Sequence, residues 1–137
     1  MPAPQKAPSN LDVILVIDVG NSGAKVGAVR GEDVAGPVRL PRVDGRAVRD
    51  IAGPMLKGKD AVIAIAGSDP NRIDNLVWEV QKLRLGTLAK VGPDHKGIPA
   101  PGVDEPARAG VDRRVQVLAA THLAGEAAAV VSCGTAL

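Results

Sequence analysis

The residues with the clearest capacity for chemistry lie together near the start of the chain. An apolar run at residues 13–17 leads into an aspartate, and a lysine follows seven positions after that aspartate. The segment is otherwise small and turn-forming, and it consists of Asp18, Val19, Gly20, Asn21, Ser22, Gly23, Ala24 and Lys25. Backbone N–H groups of such a turn can approach anionic oxygens closely, a carboxylate can hold Mg²⁺ through water, and an ammonium can pair with phosphate. The segment therefore predicts a phosphate-binding loop between two strands.

A tight hairpin turn is the alternative interpretation of the same segment. Glycine and asparagine supply the positive φ angles that such turns require, which accounts for residues 20–23. It does not explain why Asp18 ends a hydrophobic strand or why Lys25 begins the next one. The two charged residues therefore favour the functional interpretation.

A second group of chemical interest begins a predicted helix, and it consists of Gly110, Val111, Asp112 and Arg113. An aspartate in the first helical turn is held ionised by the positive end of the helix dipole, and an adjacent arginine can bind an anionic group through two parallel hydrogen bonds. Such a pair suits a general base that accepts a hydroxyl proton beside an anchored, carboxylated substrate. The alternative is that Asp112 is only a helix N-terminal carboxylate and Arg113 a solvated surface charge.

Hydrophobic periodicity predicts the elements that position these groups, in the order β-β-β-α-β-α-β-α-β. The expected strands are residues 11–17, 24–30, 34–40, 60–66, 87–91 and 127–131, and the expected helices are residues 44–56, a segment from residue 70 and a segment from residue 111. The first strand is almost continuously apolar, which suits a central strand buried on both faces. Pro54 should kink or end the first helix near Ala52, and Gly86 should end the second. A proline-rich loop at residues 92–106 has the length of a functional loop.

Three ordered motifs resemble those of type III pantothenate kinases, a family within the sugar kinase, Hsp70 and actin superfamily. Residues 18–25 resemble the family's first phosphate motif, Asp-x-Gly-Asn-Thr-x-x-Lys, with Ser22 in the place of the threonine. Residues 110–113 resemble its Gly-Ala-Asp-Arg signature. Residues 132–136 lie where the family has Asp-x-Gly-Thr-Ala, so that Thr135 is retained and Ser132 replaces an aspartate. Where many members carry a tyrosine that contacts pantothenate, this chain has Val103.

The resemblance implies an α/β fold, the ribonuclease H-like lobe of the actin-like ATPase superfamily. This lobe is a three-stranded antiparallel meander extended by parallel strands, with helices on both faces. Residues 11–137 would form this N-terminal kinase lobe after a flexible tail at residues 1–10. Family members contain a second lobe that completes the ATP cleft, and we expect it to be missing from this chain. A complete enzyme would be a homodimer.

The resemblance also implies an activity, the transfer of the γ-phosphoryl group of ATP to the primary hydroxyl of pantothenate, which is the first step toward coenzyme A. Asp112 would be the catalytic base, and Asp18 would organise Mg²⁺. The implied ATP-binding residues are Asp18, Val19, Gly20, Asn21, Ser22, Gly23, Ala24, Lys25 and Thr135, and the implied substrate-binding residues are Val103, Gly110, Val111, Asp112 and Arg113. Ser132 would mark the position of a monovalent cation, K⁺ or NH₄⁺.

Composition argues against several other classes of function. The chain has 137 residues, of which 45% are hydrophobic, a formal net charge of +2, and neither Phe nor Tyr. Because it has no dense basic tract and no aromatic platform, we expect no nucleic-acid partner, and its apolar runs are too short to span a membrane. Cys133 is the only cysteine, so an intramolecular disulfide is excluded. We expect a cytoplasmic protein.

Two other classes of function stay open on the sequence alone. The chain could be a non-catalytic nucleotide-binding or transcription accessory module of the same family, which Ser132, Val103 and the missing lobe favour. An actin-like or Hsp70-like lobe would explain the first motif but not the Gly-x-Asp-Arg helix start. Retention of Asp18, Lys25 and Asp112 favours the kinase, because each is a charge with no evident role in a core.

Ser132 generates a testable prediction about cation activation. A neutral hydroxyl offers one weak oxygen to a cation where a carboxylate offers two, so activation by K⁺ or NH₄⁺ should be weak or absent. In an enzyme that contains both lobes, Ser132→Asp should install cation dependence, measured as the rate of ATP-dependent pantothenate phosphorylation with and without KCl. An unchanged rate and an unchanged cation dependence would contradict this interpretation.

Overall fold

The computed structural model of the chain describes residues 13–56, 61–91 and 110–125. These residues form β1 Val13–Gly20, β2 Gly23–Arg30, β3 Asp33–Arg39, α1 Gly45–Leu56, β4 Ala61–Gly67, α2 Pro70–Leu83, β5 Gly86–Lys90 and α3 Val111–Ala124. The predicted tail, the long loop and the last predicted strand lie outside the described residues. So do Val103, Ser132 and Thr135.

The strands form one mixed five-stranded sheet in the order β3-β2-β1-β4-β5. β1 and β2 are antiparallel, as are β2 and β3, so the first part of the sheet is a meander. β4 joins the other side of β1 in parallel, and β5 extends the sheet in parallel with β4. The predicted meander with a parallel extension is therefore confirmed, and β1 occupies the centre of the sheet.

One face of the sheet carries the hydrophobic core. The fully buried residues of β1 alternate along the strand, and they are Val13, Leu15, Ile17 and Val19. In the parallel register Leu15 lies opposite Ile63, which is also buried. The helices α1 and α2 pack against this core and against each other, and they contribute Ala47, Val48, Ala52, Leu56, Ile73, Leu76 and Val80.

The other face of β1 is only partly covered. Ile14 and Val16 keep 40% and 39% of their surface exposed. The prediction that this strand is buried on both faces is therefore wrong, because α1 and α2 both pack on the face that bears Leu15. Every second residue of the apolar run is buried, and this alternation depends on which face the helices cover, so it cannot be predicted from a continuous apolar sequence.

Helix α1 passes through a proline instead of ending before it. Pro54 lies inside the helix, which continues to Leu56. The expectation that the helix ends near Ala52 is therefore wrong. Proline has no N–H, so the carbonyl of Asp50, four residues earlier, receives no helical hydrogen bond from this position. The carbonyl of Met55, which is one of the terminal acceptors, instead accepts a hydrogen bond of 3.1 Å from Nη2 of Arg30.

Helix α2 begins where the sequence predicts. The Oδ1 atom of Asp69 accepts hydrogen bonds from the backbone N–H groups of Asn71 at 3.1 Å and Arg72 at 3.2 Å. Pro70 occupies the first turn, where its missing N–H costs nothing. Asp69 thus fixes the position of the helix start relative to the end of β4.

The helix ends at a different residue from the one expected. Arg84, with a φ of 52°, adopts the left-handed conformation that closes α2, so Gly86 is not its terminator. Gly86 instead begins β5 opposite Ala61 with a φ of 156°. A Cβ at Gly86 would lie 1.9 Å from the carbonyl oxygen of Ala61, so the close approach of β5 to β4 requires glycine.

Helix α3 contacts β4, and among its described side chains Val111 and Arg114 are buried, each 7% exposed. Its N-cap is Gly110, which provides no side-chain capping bond. The far end is exposed, since Leu123 keeps 85% of its surface accessible. Within the described ranges, none of the helices is long and apolar enough to cross a lipid bilayer.

The core packing generates a prediction about stability. Leu15 has no exposed surface, so Leu15→Ala should lower the free energy of unfolding by roughly 2–5 kcal/mol through lost contacts and a residual cavity. Val34 lies on the edge strand β3 and is 69% exposed, so Val34→Ala should change stability by about 0.5 kcal/mol or less. Urea denaturation followed by circular dichroism measures both. Equal effects of the two substitutions would contradict the assignment of the core.

Candidate phosphate-binding site

The chemically interesting segment, residues 18–25, forms the end of β1, a two-residue turn and the start of β2. Asp18 lies directly opposite Lys25 in the β1–β2 register, and both are exposed. Directly opposed residues of an antiparallel pair share a face, with Cβ atoms about 4.5–5.5 Å apart. The carboxylate and the ammonium therefore share the face of the sheet that faces away from the core.

The backbone between these charges is a tight hairpin. Gly20 lies opposite Gly23, and the two residues between them, Asn21 and Ser22, make the turn. Gly23 has a φ of 146°, which L side chains rarely adopt. The hairpin interpretation of the sequence thus describes the backbone correctly, and the charged pair is built onto that hairpin.

The turn that follows β4 supports the end of β1. The N–H of Ser68 donates a hydrogen bond of 3.1 Å to the carbonyl of Val19, and the Oγ of Ser68 lies 3.4 Å from Oδ1 of Asn21. Gly67 makes this contact possible, because a Cβ there would lie 2.0 Å from the Val19 carbonyl oxygen. Since β1 and β4 are parallel, their carboxyl ends meet at one edge of the sheet.

Two arginines contact the carbonyl groups of the hairpin turn. Nη1 of Arg72, in the first turn of α2, lies 3.1 Å from the carbonyl oxygen of Asn21 and 3.4 Å from that of Gly20. Nη2 of Arg39, at the end of β3, donates a hydrogen bond of 2.7 Å to the carbonyl of Ser22. Sequence reasoning missed both arginines, because neither belongs to a motif and their relation to the turn exists only in the folded chain.

A cavity of about 470 Å³ lies beside the turn. Its lining residues are Ser22, Gly23, Arg39, Leu40, Pro41, Arg42, Val43, Arg72 and Asn75. Arg42 is held by Asp44, with 3.1 Å between Nε and Oδ2. Three guanidinium groups therefore border a space next to residues 22 and 23, and Arg72 among them also lies 3.6 Å from Asp69.

The second sequence motif lies at the start of α3. Asp112 is in the first helical turn, as predicted, and Arg113 beside it is exposed. The side chain of Asp112 lies outside the described residues. Helix α3 contacts β4, which is the neighbour of β1 in the sheet, so one strand separates the element with this motif from the strand that carries Asp18. The convergence of Asp18, Asp112 and Thr135 on one ligand stays a prediction.

The residues around the hairpin suit one mode of magnesium binding. In the part of the chain that the structure describes, no three His, Cys, Asp or Glu side chains group closely enough to hold a metal ion by themselves. Mg²⁺ bound with a nucleotide usually keeps several waters and takes only one or two carboxylates in addition to phosphate oxygens. The exposed carboxylate of Asp18 at the end of β1 fits that role.

Comparison with known proteins shows which family the sequence matches. The family model described as type III pantothenate kinase matches residues 14–137. The type III pantothenate kinase of Parafrankia sp. is 32% identical to this chain over 131 residues, and that of Frankia alni is 33% identical over 130 residues. Each match covers 90% of this chain and 51% of the relative. The chain thus spans about half the length of the curated relatives that it matches.

The contact between the two turns generates a prediction. Gly67 has a φ of 159° and no room for a Cβ, so Gly67→Ala should lower the free energy of unfolding by about 2 kcal/mol or more. Gly53 is the matched control, because it lies within α1 with nothing within 4 Å of a Cβ. Gly53→Ala should stabilise the chain by roughly 0.5–1 kcal/mol.

Urea denaturation of the two alanine variants tests this contact. Amide chemical shifts of residues 19–23 should also move in the Gly67 variant and stay unchanged in the Gly53 variant. A Gly67→Ala protein as stable as the parent would mean that β4 does not support the turn.

Proposed function

The chain belongs to the type III pantothenate kinase family, and we propose that it acts in the ATP-dependent phosphorylation of pantothenate to 4′-phosphopantothenate, the first step of coenzyme A biosynthesis. The observation that carries the proposal is the opposed pair of Asp18 and Lys25 beside a glycine-flanked turn. This pair lies within the residues that the family model matches. Because the chain spans about half of its relatives, the activity is proposed for a protein with the remaining half as well.

The hairpin suits the binding of a polyphosphate. Phosphoryl transfer depends mainly on positioning and on neutralising charge, since there is little covalent chemistry for the protein to perform. Lys25 would pair with phosphate oxygens, and backbone N–H groups of Asn21 and Ser22 would donate to them. Asp18 would hold Mg²⁺ through water, and the metal would neutralise part of the phosphate charge when bound. The flanking Val19, Gly20, Gly23 and Ala24 complete the proposed ATP-binding segment.

Helix α3 would carry the catalytic base. Asp112 would accept the proton of the pantothenate hydroxyl as the phosphoryl group is transferred, because its place in the first helical turn favours the carboxylate form. Arg113 would bind the substrate carboxylate, and its exposure leaves the guanidinium accessible for that contact. Gly110 and Val111 would complete the part of the substrate site that lies at the start of α3.

Three residues outside the described ranges complete the proposed site. Thr135 would face the nucleotide, as the second phosphate motif of the family implies. Val103 would occupy the place of the family's pantothenate-contacting tyrosine, without the hydroxyl that such a tyrosine offers. Ser132 would take the position beside a monovalent cation, K⁺ or NH₄⁺, with one neutral oxygen.

The sheet supports a finer fold assignment. A meander of three antiparallel strands continued by two parallel strands is the arrangement expected of a ribonuclease H-like lobe in the actin-like ATPase superfamily. We propose this lobe for residues 11–137, with a homodimer as the assembly of the complete enzyme, in the cytoplasm. No nucleic-acid or membrane partner is proposed.

A second candidate is a nucleotide-binding module without catalysis. The hairpin favours it, because backbone N–H groups and a lysine can bind phosphate without a general base. The hairpin with Asp18 and Lys25 would serve binding alone in such a module. Both candidates predict phosphate binding, and only the kinase predicts turnover.

The decisive experiment measures ATP-dependent phosphorylation of pantothenate by the 137-residue chain and by the protein extended to the length of its relatives. In the extended protein, Asp112→Asn should lower kcat/KM roughly 10²- to 10⁴-fold because the general base is lost. Asp18→Asn should raise the Mg²⁺ concentration needed for half-maximal rate. Asp33→Asn is the matched control, because Asp33 is exposed on β3, and it should leave both values unchanged.

The outcomes separate the candidates. Turnover that depends on Asp112 supports the kinase. Binding of Mg²⁺ and ATP with no turnover in the extended protein favours the binding module. If the extended protein shows no turnover and binds no ATP, both candidates are wrong.

A further inference from the structure

The three carbonyl groups of the hairpin turn contact two arginines from two different elements. Arg72 comes from α2, and its Nη1 lies 3.4 Å and 3.1 Å from the carbonyl oxygens of Gly20 and Asn21. Arg39 comes from β3, and its Nη2 donates to the carbonyl of Ser22 at 2.7 Å. Three consecutive peptide groups are therefore held from their carbonyl side by two positive charges.

This arrangement has a consequence for the N–H groups of the same peptides. A trans peptide is planar, and its C=O and N–H bonds point in opposite directions. Fixing the carbonyls of residues 20–22 therefore also fixes the directions of the N–H groups of residues 21–23. A phosphate loop binds its ligand through such N–H groups, and it binds more tightly when they are oriented before the ligand arrives.

Other contacts hold the arginines themselves in place. Nε of Arg72 lies 3.6 Å from Oδ2 of Asp69, the residue that also caps α2. The Arg39 guanidinium lies over Gly23, where a Cβ would be 3.4 Å from Nη2. The turn is thus connected to the start of α2 on one side and to the end of β3 on the other.

We propose that Arg39 and Arg72 are positioning residues that hold the turn of residues 20–23 in the conformation that binds phosphate. They act through the backbone carbonyls and not by direct contact with the ligand. This inference rests on the proposed function, because it assumes that the turn receives the phosphates of a nucleotide. It goes beyond that function in assigning a role to two residues outside the three sequence motifs.

The chain offers a matched control for charge. Arg42 lines the same cavity as Arg39 and Arg72, but its guanidinium is paired with Asp44 and not with the turn. Replacing Arg42 by glutamine removes the same charge from the same cavity. Any effect of long-range electrostatics alone should therefore appear equally in this variant.

The experiment titrates the ¹⁵N-labelled 137-residue chain with inorganic triphosphate in the presence of Mg²⁺ and reads the amide shifts of residues 21–23. Arg72→Gln and Arg39→Gln should each weaken triphosphate binding roughly three- to tenfold in Kd, the range that corresponds to the loss of one ordinary intramolecular hydrogen bond. Arg42→Gln should weaken it less than about twofold. Without triphosphate, the order parameters of residues 21–23 should fall in the first two variants only.

A lysine variant separates positioning from charge. Arg72→Lys keeps the positive charge but loses the planar group that reaches two carbonyls, so it should recover only part of the lost affinity. Full recovery of both affinity and order by lysine would overturn the inference, because charge alone would then suffice.

The remaining outcomes distinguish this inference from the proposed function. If the parent chain binds triphosphate and the Arg39, Arg72 and Arg42 variants bind equally well, the positioning role is wrong and the phosphate-binding function stands. If the parent chain binds no triphosphate, the positioning inference is wrong, and the proposed function then stands or falls with pantothenate phosphorylation by the extended protein.

Discussion

The parallel pairing of β1 with β4 is the constraint on which the candidate site depends. It brings the carboxyl ends of both strands to one edge of the sheet, so that the turn after β4 lies against the last residues of β1. Gly67 is the point of closest approach, with no room for a side chain against the carbonyl of Val19. Helix α2 begins three residues later, at Pro70, and its first turn places Arg72 against the hairpin. Without this pairing only β3 would remain beside the hairpin in the sheet, and Ser68 and Arg72 would no longer reach the turn.

The hairpin and the proposed phosphate loop share one backbone segment. A two-residue turn gives the register that sets Asp18 opposite Lys25, so the geometry that closes the hairpin also places the two charged residues on one face of the sheet. The turn exposes backbone groups on both sides, and the carbonyl side contacts Arg39 and Arg72. A plain hairpin on the surface would leave those carbonyls to water, which hydrogen-bonds to them without fixing their direction.

The sequence predicts what depends on local pattern and misses what depends on packing between distant elements. The two opening strands, the start of α2 at Asp69 and the position of Asp112 in a helical first turn all follow from periodicity and capping rules. The prediction that Gly86 ends α2 is wrong, because the role of this glycine is a close approach to β4, a strand far away in sequence. Arg39 and Arg72 carry no local signal, since each reaches a turn 17 or about 50 residues away along the chain.

Buried and exposed residues alternate along β1, so the same strand contributes to the core and places Asp18 on the opposite face. Leu15, Ile17 and Val19 face the core, and Asp18 lies between two of them on the opposite face. A shift of one residue in register would place the Asp18 carboxylate among the buried side chains, where an unpaired charge costs several kcal/mol. The same core contacts that hold the sheet together therefore also hold Asp18 on the face of Lys25. The pairing of β1 with β2 keeps the same alternation, because Val19 is buried opposite the buried Ala24 while Asp18 is exposed opposite the exposed Lys25.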